Sequence, residues 1–316
     1  MNLVPQMPIQ VQYLNTFSFP LIQKLTQKTV SEKFIGGRHG YNKEFLFSLL
    51  LMKRITNWSF RTIAEMGGIS HSTLVRANTY FLVRKVYEKF FLFLVKKAYR
   101  KGLIKGKFVA MDSSFVKTFS GREEEGSEGW NGFKEAYGFK LHLLIDCETK
   151  FPIASTVTNG LASDNTLAIP LLKKAGYWLK RCGYVLADKG YDDSEIIDFI
   201  VKAFKAKAGI PIKKHNRGKN YSWFGSWRNF WEKAKGRSIK KSIYNRRTAV
   251  ERVFSVLKRV FHLGYEEVRG ILSFAKQVYL TLICYMLKLL DIAKSSKWEF
   301  CTRLIEGFKR GLTNTV

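Results

Sequence analysis

The period of the hydrophobic pattern changes near residue 104, and this change limits the fold more than any other feature of the chain. Before it, apolar runs such as Phe45 to Met52 indicate buried helices, so residues 1–103 are expected to be mostly helical. After it, short apolar or alternating runs are typical of strands. The sequence therefore predicts a helical N-terminal region followed by a domain built on a sheet.

The region after residue 104 combines hairpin strands with alternating helices and strands. Strands are predicted at 107–111, 138–146, 151–158, 184–187 and 208–212. Helices are predicted from Ser163 to about Lys180, from Asp193 to Lys205, near Arg247 and from about Gly270. Three strands in hairpin order followed by this alternation give an α/β fold, a mixed β-sheet flanked by helices.

Residues 59–80 have the pattern of a helix-turn-helix. Ser59 and Ser70 are good N-caps, and Gly67 and Gly68 supply the tight turn between two short helices. In a DNA-binding unit of this kind, the second helix would present four side chains to DNA: His71, Ser72, Arg76 and Asn78. The alternative is an ordinary pair of helices that makes no contact with DNA.

The chain carries a large excess of positive charge, which implies a polyanionic partner. Its 54 lysines and arginines against 25 acidic residues give a formal net charge of +29. Nucleic acid is favoured over a membrane surface, because the basic residues are spread through strand and helix patterns and are not gathered on one amphipathic helix.

Three features favour a cytoplasmic protein. The N-terminus lacks a basic segment followed by an apolar stretch, so no secretory signal is expected. The strongest apolar run, Val278 to Leu290, is interrupted by Lys288 and is short for a bilayer, which favours a buried helix. The four cysteines lie far apart and are expected to be reduced structural thiols: Cys147, Cys182, Cys284 and Cys301.

Two aspartates follow apolar runs at predicted strand ends, where the sites of open sheets cluster. Asp112 follows the strand at 107–111, and Asp188 follows the strand at 184–187. Hard oxygen ligands without a Cys/His cluster point to Mg²⁺ or Mn²⁺, and two such ions about 4 Å apart can serve phosphodiester chemistry. Capping or turn roles are the alternative for any single aspartate at such a position.

A basic run from Tyr244 to Lys258 surrounds one carboxylate, Glu251. Between Lys202 and Arg259 there are 18 lysines and arginines and only two acids. If one α-helix covers the run, three residues lie within about 40° of Glu251 on its surface: Tyr244, Arg247 and Lys258. A neighbouring stripe would face the core: Val250, Phe254, Leu257 and Phe261. The alternative is a surface Arg247–Glu251 pair worth only about 0.3–0.5 kcal/mol.

Several motifs occur in a fixed order along residues 45–290. Three of them are Met111-Asp112-Ser113, Asp188-Lys189-Gly190-Tyr191-Asp192 and Tyr244-x2-Arg247-x3-Glu251-x6-Lys258. They resemble, in that order, the first-aspartate motif, the second-aspartate motif and the Y-R-E-K pattern of DDE transposases from prokaryotic insertion sequences. The stretches 138–142 and 163–165 are also similar to the strand pair and following helix of that family.

The resemblance implies an RNase H-like catalytic core with three acidic ligands for two Mg²⁺ or Mn²⁺ ions: Asp112, Asp188 and Glu251. Water and then a 3′-hydroxyl would attack phosphodiesters of double-stranded DNA, at terminal inverted repeats and in the target. Three side chains would contact this DNA near the cleavage site: Tyr244, Arg247 and Lys258. Joining two ends implies a homodimer in the synaptic complex, located with the nucleoid of a prokaryotic cytoplasm.

The expected organisation is a helical DNA-binding domain at 1–103, a catalytic domain at 104–292 and a basic tail at 293–316. The catalytic domain contains a short basic insertion at about 213–243, with three tryptophans that serve either base stacking or core packing: Trp223, Trp227 and Trp231. Two other functions stay open. One is a nuclease on the same core without strand transfer, and the other is a DNA-binding protein with a silent catalytic centre.

Overall fold

The structure is a computed structural model that describes residues 41–118, 129–132, 134–211, 241–266 and 268–294. The predictions for Cys301, for the three tryptophans of the insertion and for almost all of the basic tail fall outside these residues. The other three cysteines are buried free thiols, as predicted: Cys147, Cys182 and Cys284.

The chain divides into two compact units, each of which is made of segments that are separate in the sequence. Among the described residues, the first unit contains 41–94, 256–263 and 275–294. The second unit contains the described parts of 95–255 and 264–274. The three-part domain division expected from the sequence stays a prediction.

The first unit begins with helices whose starts are fixed by capping side chains. Asn42, Ser59 and Ser70 each accept a hydrogen bond from a backbone N–H in the first turn, at 2.7, 3.1 and 3.2 Å. The helices are α1 (Lys43–Thr56), α2 (Phe60–Met66), α3 (His71–Val83) and α4 (Val86–Arg100), the last of which continues into the second unit. The helix pair predicted at 59–80 is therefore present as α2 and α3.

The second unit is built on a mixed sheet. Its strands are β1 (Phe108–Thr118), β2 (Trp130–Asn131), β3 (Ala136–Asp146), β4 (Pro152–Asn159), β5 (Tyr184–Leu186), β6 (Lys207–Gly209) and β7 (Tyr265–Glu266). Strand β3 pairs antiparallel with both β1 and β4, whereas β5 pairs in parallel with β1 and β6. The short strands β2 and β7 extend the sheet beside β3 and β1. This arrangement confirms the predicted mixed sheet.

Strand β1 is much longer than predicted. The sequence placed Asp112 after the strand, but the strand continues six residues further, to Thr118. The reason is the antiparallel pairing with β3, which runs without a break from Val109 opposite Asp146 to Lys117 opposite Gly138. Asp112 therefore lies inside β1, opposite Leu143, and the prediction of a strand-end position was wrong.

The helices of the second unit flank the sheet. They are α5 (Asp164–Ala175), with a 3₁₀ turn at Gly176–Leu179, and α6 (Ser194–Phe204). After the undescribed segment come α7 (Lys241–Tyr244), a 3₁₀ turn at Asn245–Arg247 and α8 (Thr248–Arg259). The continuous α-helix predicted across the basic run is thus interrupted by the 3₁₀ turn. The predicted core stripe is buried in full: Val250, Phe254, Leu257 and Phe261.

The last described helix is α9 (Ile271–Lys294), which has 24 residues. Its segment Ile271–Ala293 is long and apolar enough to cross a membrane, and 61% of the 18-residue apolar stretch within it is buried inside the fold. The sequence-based argument that the apolar run is too short for a bilayer was therefore wrong, because the helix extends beyond both Val278 and Leu290. The burial itself supports the predicted core helix, since core helices of soluble proteins pass the same test.

Candidate active site

Strand register brings Asp112 and Asp188 to the same level of the sheet. Ala110 of β1 stands opposite Leu186 in the parallel strand β5. Asp112 lies two residues beyond Ala110, and Asp188 lies two residues beyond Leu186. Because parallel neighbours advance together along the sheet, the two carboxylates are carried to adjacent positions. The predicted meeting of these aspartates therefore has a direct cause in the fold.

Asp188 is held at the point where the chain leaves β5. It caps the 3₁₀ turn Lys189–Tyr191, and its Oδ1 accepts a hydrogen bond from the Gly190 N–H at 2.7 Å. A Cβ on residue 190 would lie 2.8 Å from the same oxygen, which is closer than real Cβ contacts allow. A larger residue at position 190 would therefore push the carboxylate of Asp188 out of its present position over the turn.

The electrostatics of Asp112 show that its carboxylate is in a site that favours the neutral form. Its pKa is raised to about 6, mainly by burial. The Ser113 N–H, which donates to Asp112 Oδ1 at 2.8 Å, lowers the pKa, and the negative charge of Asp188 raises it. Arg247 lowers it and Asp164 raises it. A positive charge bound here would relieve the repulsion between the acids.

Arg247 connects Asp112 with the helical segment that follows residue 241. Its Nη1 lies 3.6 Å from Asp112 Oδ2, and its Nη2 donates to Glu251 Oε1 at 2.7 Å. The guanidinium also lies 6.0 Å from the centre of the Tyr244 ring. Tyr244 and Arg247 are three residues apart in the 3₁₀ region, where such positions eclipse each other. Three of the four residues of the predicted stripe thus meet at the Arg247 guanidinium, which also contacts Asp112.

The third acid is placed differently from the two aspartates. The Glu251 side chain is 51% exposed and pairs with Arg247. In the part of the chain that is described, no group of three His, Cys, Asp or Glu side chains is arranged to hold a metal ion. Lys258 lies in the last turn of α8, in the segment that belongs to the first unit. The roles of Glu251 and Lys258 stay predictions.

Two residues near the aspartates were not singled out as site residues from the sequence. Tyr191 is buried, and its pKa is raised by burial and then by the charges of Asp164, Asp112 and Asp188. Asp164 opens α5 and pairs with Lys140 at 3.3 Å. Tyr191 stands inside the second-aspartate motif, so that motif was the available signal for it. Asp164 lies in the stretch 163–165, which is similar to the family's helix after the strand pair, so that stretch was the available signal for it.

Only three of the four α3 side chains that were predicted to contact DNA are exposed. His71, Ser72 and Arg76 are exposed, as a DNA-contacting face requires. Asn78 is 3% exposed and accepts a hydrogen bond from the Tyr87 hydroxyl at 2.7 Å. The prediction that Asn78 faces DNA was therefore wrong, because the side chain completes a buried hydrogen bond instead.

The sheet order, the flanking helices and the preceding helical region define an RNase H-like transposase core. The sequence matches the transposase DDE domain family over residues 104–287, and the chain belongs to this family. It is a DDE transposase, an enzyme of DNA cleavage and strand transfer that catalyses DNA transposition. The predicted fold class and enzyme class are confirmed.

Comparison with solved structures finds transposases at low sequence identity. The piggyBac transposase in a synaptic complex with hairpin DNA superimposes with a TM-score of 0.52 at 11% identity, covering 98% of this chain and 81% of that one. The Mos1 transposase paired-end complex with left transposon end gives a TM-score of 0.25 at 12% identity, covering 77% and 86%. A comparison with curated proteins finds no match.

Proposed function

We propose that the chain is the transposase of a prokaryotic insertion sequence that moves by a cut-and-paste route. It cleaves phosphodiesters at terminal inverted repeats and joins the 3′ ends to target DNA. The observation that carries this proposal is the link made by Arg247 between Asp112 on β1 and Glu251 on α8. That link joins the first-aspartate motif to the Y-R-E-K pattern, which are distant in the sequence.

The acidic residues fit a hard divalent cation by their chemistry. Their donors are all carboxylate oxygens, which Mg²⁺ and Mn²⁺ prefer. A cationic guanidinium already lies between Asp112 and Glu251, so positive charge is stabilised at this position. Asp112, Asp188 and Glu251 would hold two such ions. Bound metal would supply activation of the attacking oxygen and stabilisation of the leaving one.

The basic residues around the acids would position the DNA. Arg247 presents a planar fork of donors that matches a phosphate, and Tyr244 lies against it. Lys258 would add a further phosphate contact from α8. The exposed His71, Ser72 and Arg76 would recognise the terminal repeats, and two copies of the chain would hold the two ends. We place the protein with the nucleoid in the cytoplasm.

Cleavage of the element's own terminal repeat tests this function. The substrate is a duplex taken from the DNA that flanks the gene, incubated with the full chain and Mg²⁺ or Mn²⁺. Glu251→Gln is expected to cut roughly a hundred-fold more slowly or not at all, because it loses a metal-binding charge. The matched control is Glu195→Gln, which removes an exposed carboxylate from the first turn of α6. Equal cutting by Glu251→Gln and the parent protein would overturn the assignment.

A second substrate separates strand transfer from plain hydrolysis. It consists of a pre-cleaved transposon end and a supercoiled target, and the transposase is expected to produce a joined molecule. Cutting of the intact repeat without a joined product would identify a nuclease on the same core. Binding of the repeat without any metal-dependent cleavage would identify a silent DNA-binding protein.

A further inference from the structure

A basic and aromatic cavity of about 440 Å³ lies in the second unit, away from the aspartates. It is formed by the end of α4, the loop at 102–105 and the 3₁₀ turn after α5. Lys105 lies three residues before the start of β1 at Phe108, and Asp112 lies four residues after that start. At about 3.3 Å per strand residue, Phe108 and Asp112 are about 13 Å apart. The cavity therefore lies before the start of β1, and the candidate active site lies further along the same strand.

The walls of the cavity carry positive charge and no acid. Four cations line it: Lys96, Arg100, Lys105 and Arg181. Lys105 pairs with Glu148 at 3.4 Å, whereas the other three form no ion pair within the described residues. Lys96 and Arg100 are four residues apart on α4, so like charges share one face of the helix. Bound anionic groups would relieve this repulsion.

Aromatic side chains form the other wall. Tyr177 and Trp178 stand edge to face with ring centres 4.6 Å apart, and Tyr99 lies 5.3 Å from Trp178. Tyr177 is 61% exposed, which is a large exposed fraction for an aromatic ring. One side of it is covered by Lys180, whose Nζ lies 4.8 Å from the ring centre. An exposed ring among cations is the combination that binds the bases and phosphates of a single strand.

The loop that brings Lys105 to the cavity is held by hydrogen bonds and by close packing. Asp146, which is fully buried, accepts hydrogen bonds from the Lys105 and Gly106 N–H groups at 2.9 and 2.7 Å. Gly106 has a φ of 67°, and a Cβ there would lie 2.9 Å from the Trp178 carbonyl oxygen. The absence of a side chain at Gly106 lets the loop before β1 pack closely against Trp178, and the Asp146 carboxylate holds the loop by two hydrogen bonds. The cavity is preformed and does not need to be ordered by its ligand.

We propose that this cavity is a second DNA-contacting site of the catalytic unit. It holds a single DNA strand, with phosphates on Arg100 and Arg181 and an unstacked base on the Tyr177 ring. The proposal shares its polyanionic partner with the proposed function but does not depend on the cleavage chemistry. A binding measurement in EDTA therefore tests it separately from metal-dependent cleavage.

The test uses the full chain and a fluorescein-labelled single strand of roughly 16 nucleotides, a length within the range of known sites. Fluorescence anisotropy over a salt series gives the slope of log affinity against log salt. The double variant Arg100→Gln/Arg181→Gln is expected to reduce this slope by about 1.4, at roughly 0.7 per lost phosphate contact. The charge-matched control Lys173→Gln/Lys205→Gln changes exposed lysines elsewhere in the same unit and should leave the slope unchanged. Equal reductions of the salt slope in the arginine variant and in the lysine control would overturn the proposal.

The proposed stacking of a base on the Tyr177 ring is tested separately. Tyr177→Ala is expected to weaken binding about five-fold or more, whereas Tyr177→Phe keeps the ring and binds like the parent. A strand with abasic positions should remove the difference between Tyr177→Ala and the parent. Melting temperatures within the same range for all variants establish that each is folded. Equal loss with Phe and Ala would overturn the stacking, and displacement of the strand by dAMP alone at similar concentration would show a free-nucleotide site instead.

Discussion

The Arg247 guanidinium lies 3.6 Å from the Asp112 carboxylate, and both side chains are only 19% exposed. The same guanidinium bonds Glu251 at 2.7 Å, but that carboxylate is 51% exposed. Ion pairs away from water are screened less than those at the surface, so solvent screens the longer contact with Asp112 less than the shorter contact with Glu251. Arg247 is therefore a structural link between the sheet and the helical segment as well as a proposed DNA contact.

Replacement of Arg247 by lysine is expected to reduce DNA cleavage about ten-fold or more. Lysine keeps the positive charge but lacks the planar fork that reaches two carboxylates at once. The measurement is the rate of cleavage of a terminal-repeat duplex at fixed metal concentration. The control is Arg246→Lys, because Arg246 is the adjacent residue and pairs with Glu148 at 3.1 Å instead. Equal losses in both variants would contradict the special position of Arg247.

The stability of the metal-free protein should depend on Asp112 in a defined pH window. Its pKa is about 6 in the fold, against an ordinary value of 3.8, so the folded state binds the proton more tightly than the unfolded chain. Stability is therefore lost as pH rises from about 4 to about 6. The penalty above pH 6 is about 2–3 kcal/mol, and Asp112→Asn does not carry it.

Urea unfolding in EDTA at pH 4 and pH 8 measures this effect. The asparagine variant should gain stability relative to the parent between the two pH values, since only the parent has the ionisable group. The comparison variant is Asp193→Asn, which changes a helix-capping aspartate at the start of α6. A constant difference between Asp112→Asn and the parent across this range would contradict the raised pKa.

The sequence predicted those parts of the fold that depend on local pattern. Strand β3 alternates in a way that placed it within two residues of its observed start at Ala136. The core stripe from Val250 to Phe261 was visible from its spacing alone. Both features arise from the burial of side chains near in sequence, which periodicity records directly.

The errors have non-local causes. The apolar run that predicted the first strand ends at Met111, but pairing with β3 keeps β1 extended through Asp112 and the serines after it. The 3₁₀ turn at Asn245–Arg247 left no mark in the pattern of apolar residues, yet it aligns Arg247 with Tyr244. Asn78 was predicted to face DNA from its position on the second helix, but its hydrogen-bond partner, Tyr87, lies on the next helix. Each of these outcomes depends on a contact that spacing within one segment does not contain.

Asp146 is expected to contribute to stability and not to chemistry. It is fully buried and accepts four backbone N–H hydrogen bonds, from Lys105, Gly106, Glu148 and Thr149. Asp146→Ala would leave these donors without their acceptor and should destabilise the fold by about 3 kcal/mol or more. Urea unfolding measures the loss, with Glu195→Ala on the exposed face of α6 as the comparison. A loss below about 1 kcal/mol would contradict this role.

Two neighbouring residues of α3 are expected to act on different properties. Arg76→Ala should weaken binding to the terminal repeat without lowering the melting temperature, because the side chain is exposed. Asn78→Ala should lower stability by about 1–3 kcal/mol, because it removes the acceptor of the buried Tyr87 hydroxyl. Anisotropy below the melting range and thermal unfolding separate the two effects. Loss of stability in Arg76→Ala alone would contradict the assignment of a DNA-facing surface.

Divalent metal is expected to stabilise the folded chain through the acids. A ligand at a hundred times its Kd adds about 2.7 kcal/mol to the free energy of unfolding, so millimolar Mn²⁺ should raise the melting temperature of the parent. Asp112→Asn and Asp188→Asn should lose this increase, since their register places them side by side. Glu251→Gln distinguishes two arrangements. If Glu251→Gln also loses the increase in melting temperature, Glu251 leaves Arg247 to join the metal site. An unchanged increase in Glu251→Gln would show that the two aspartates bind metal without Glu251.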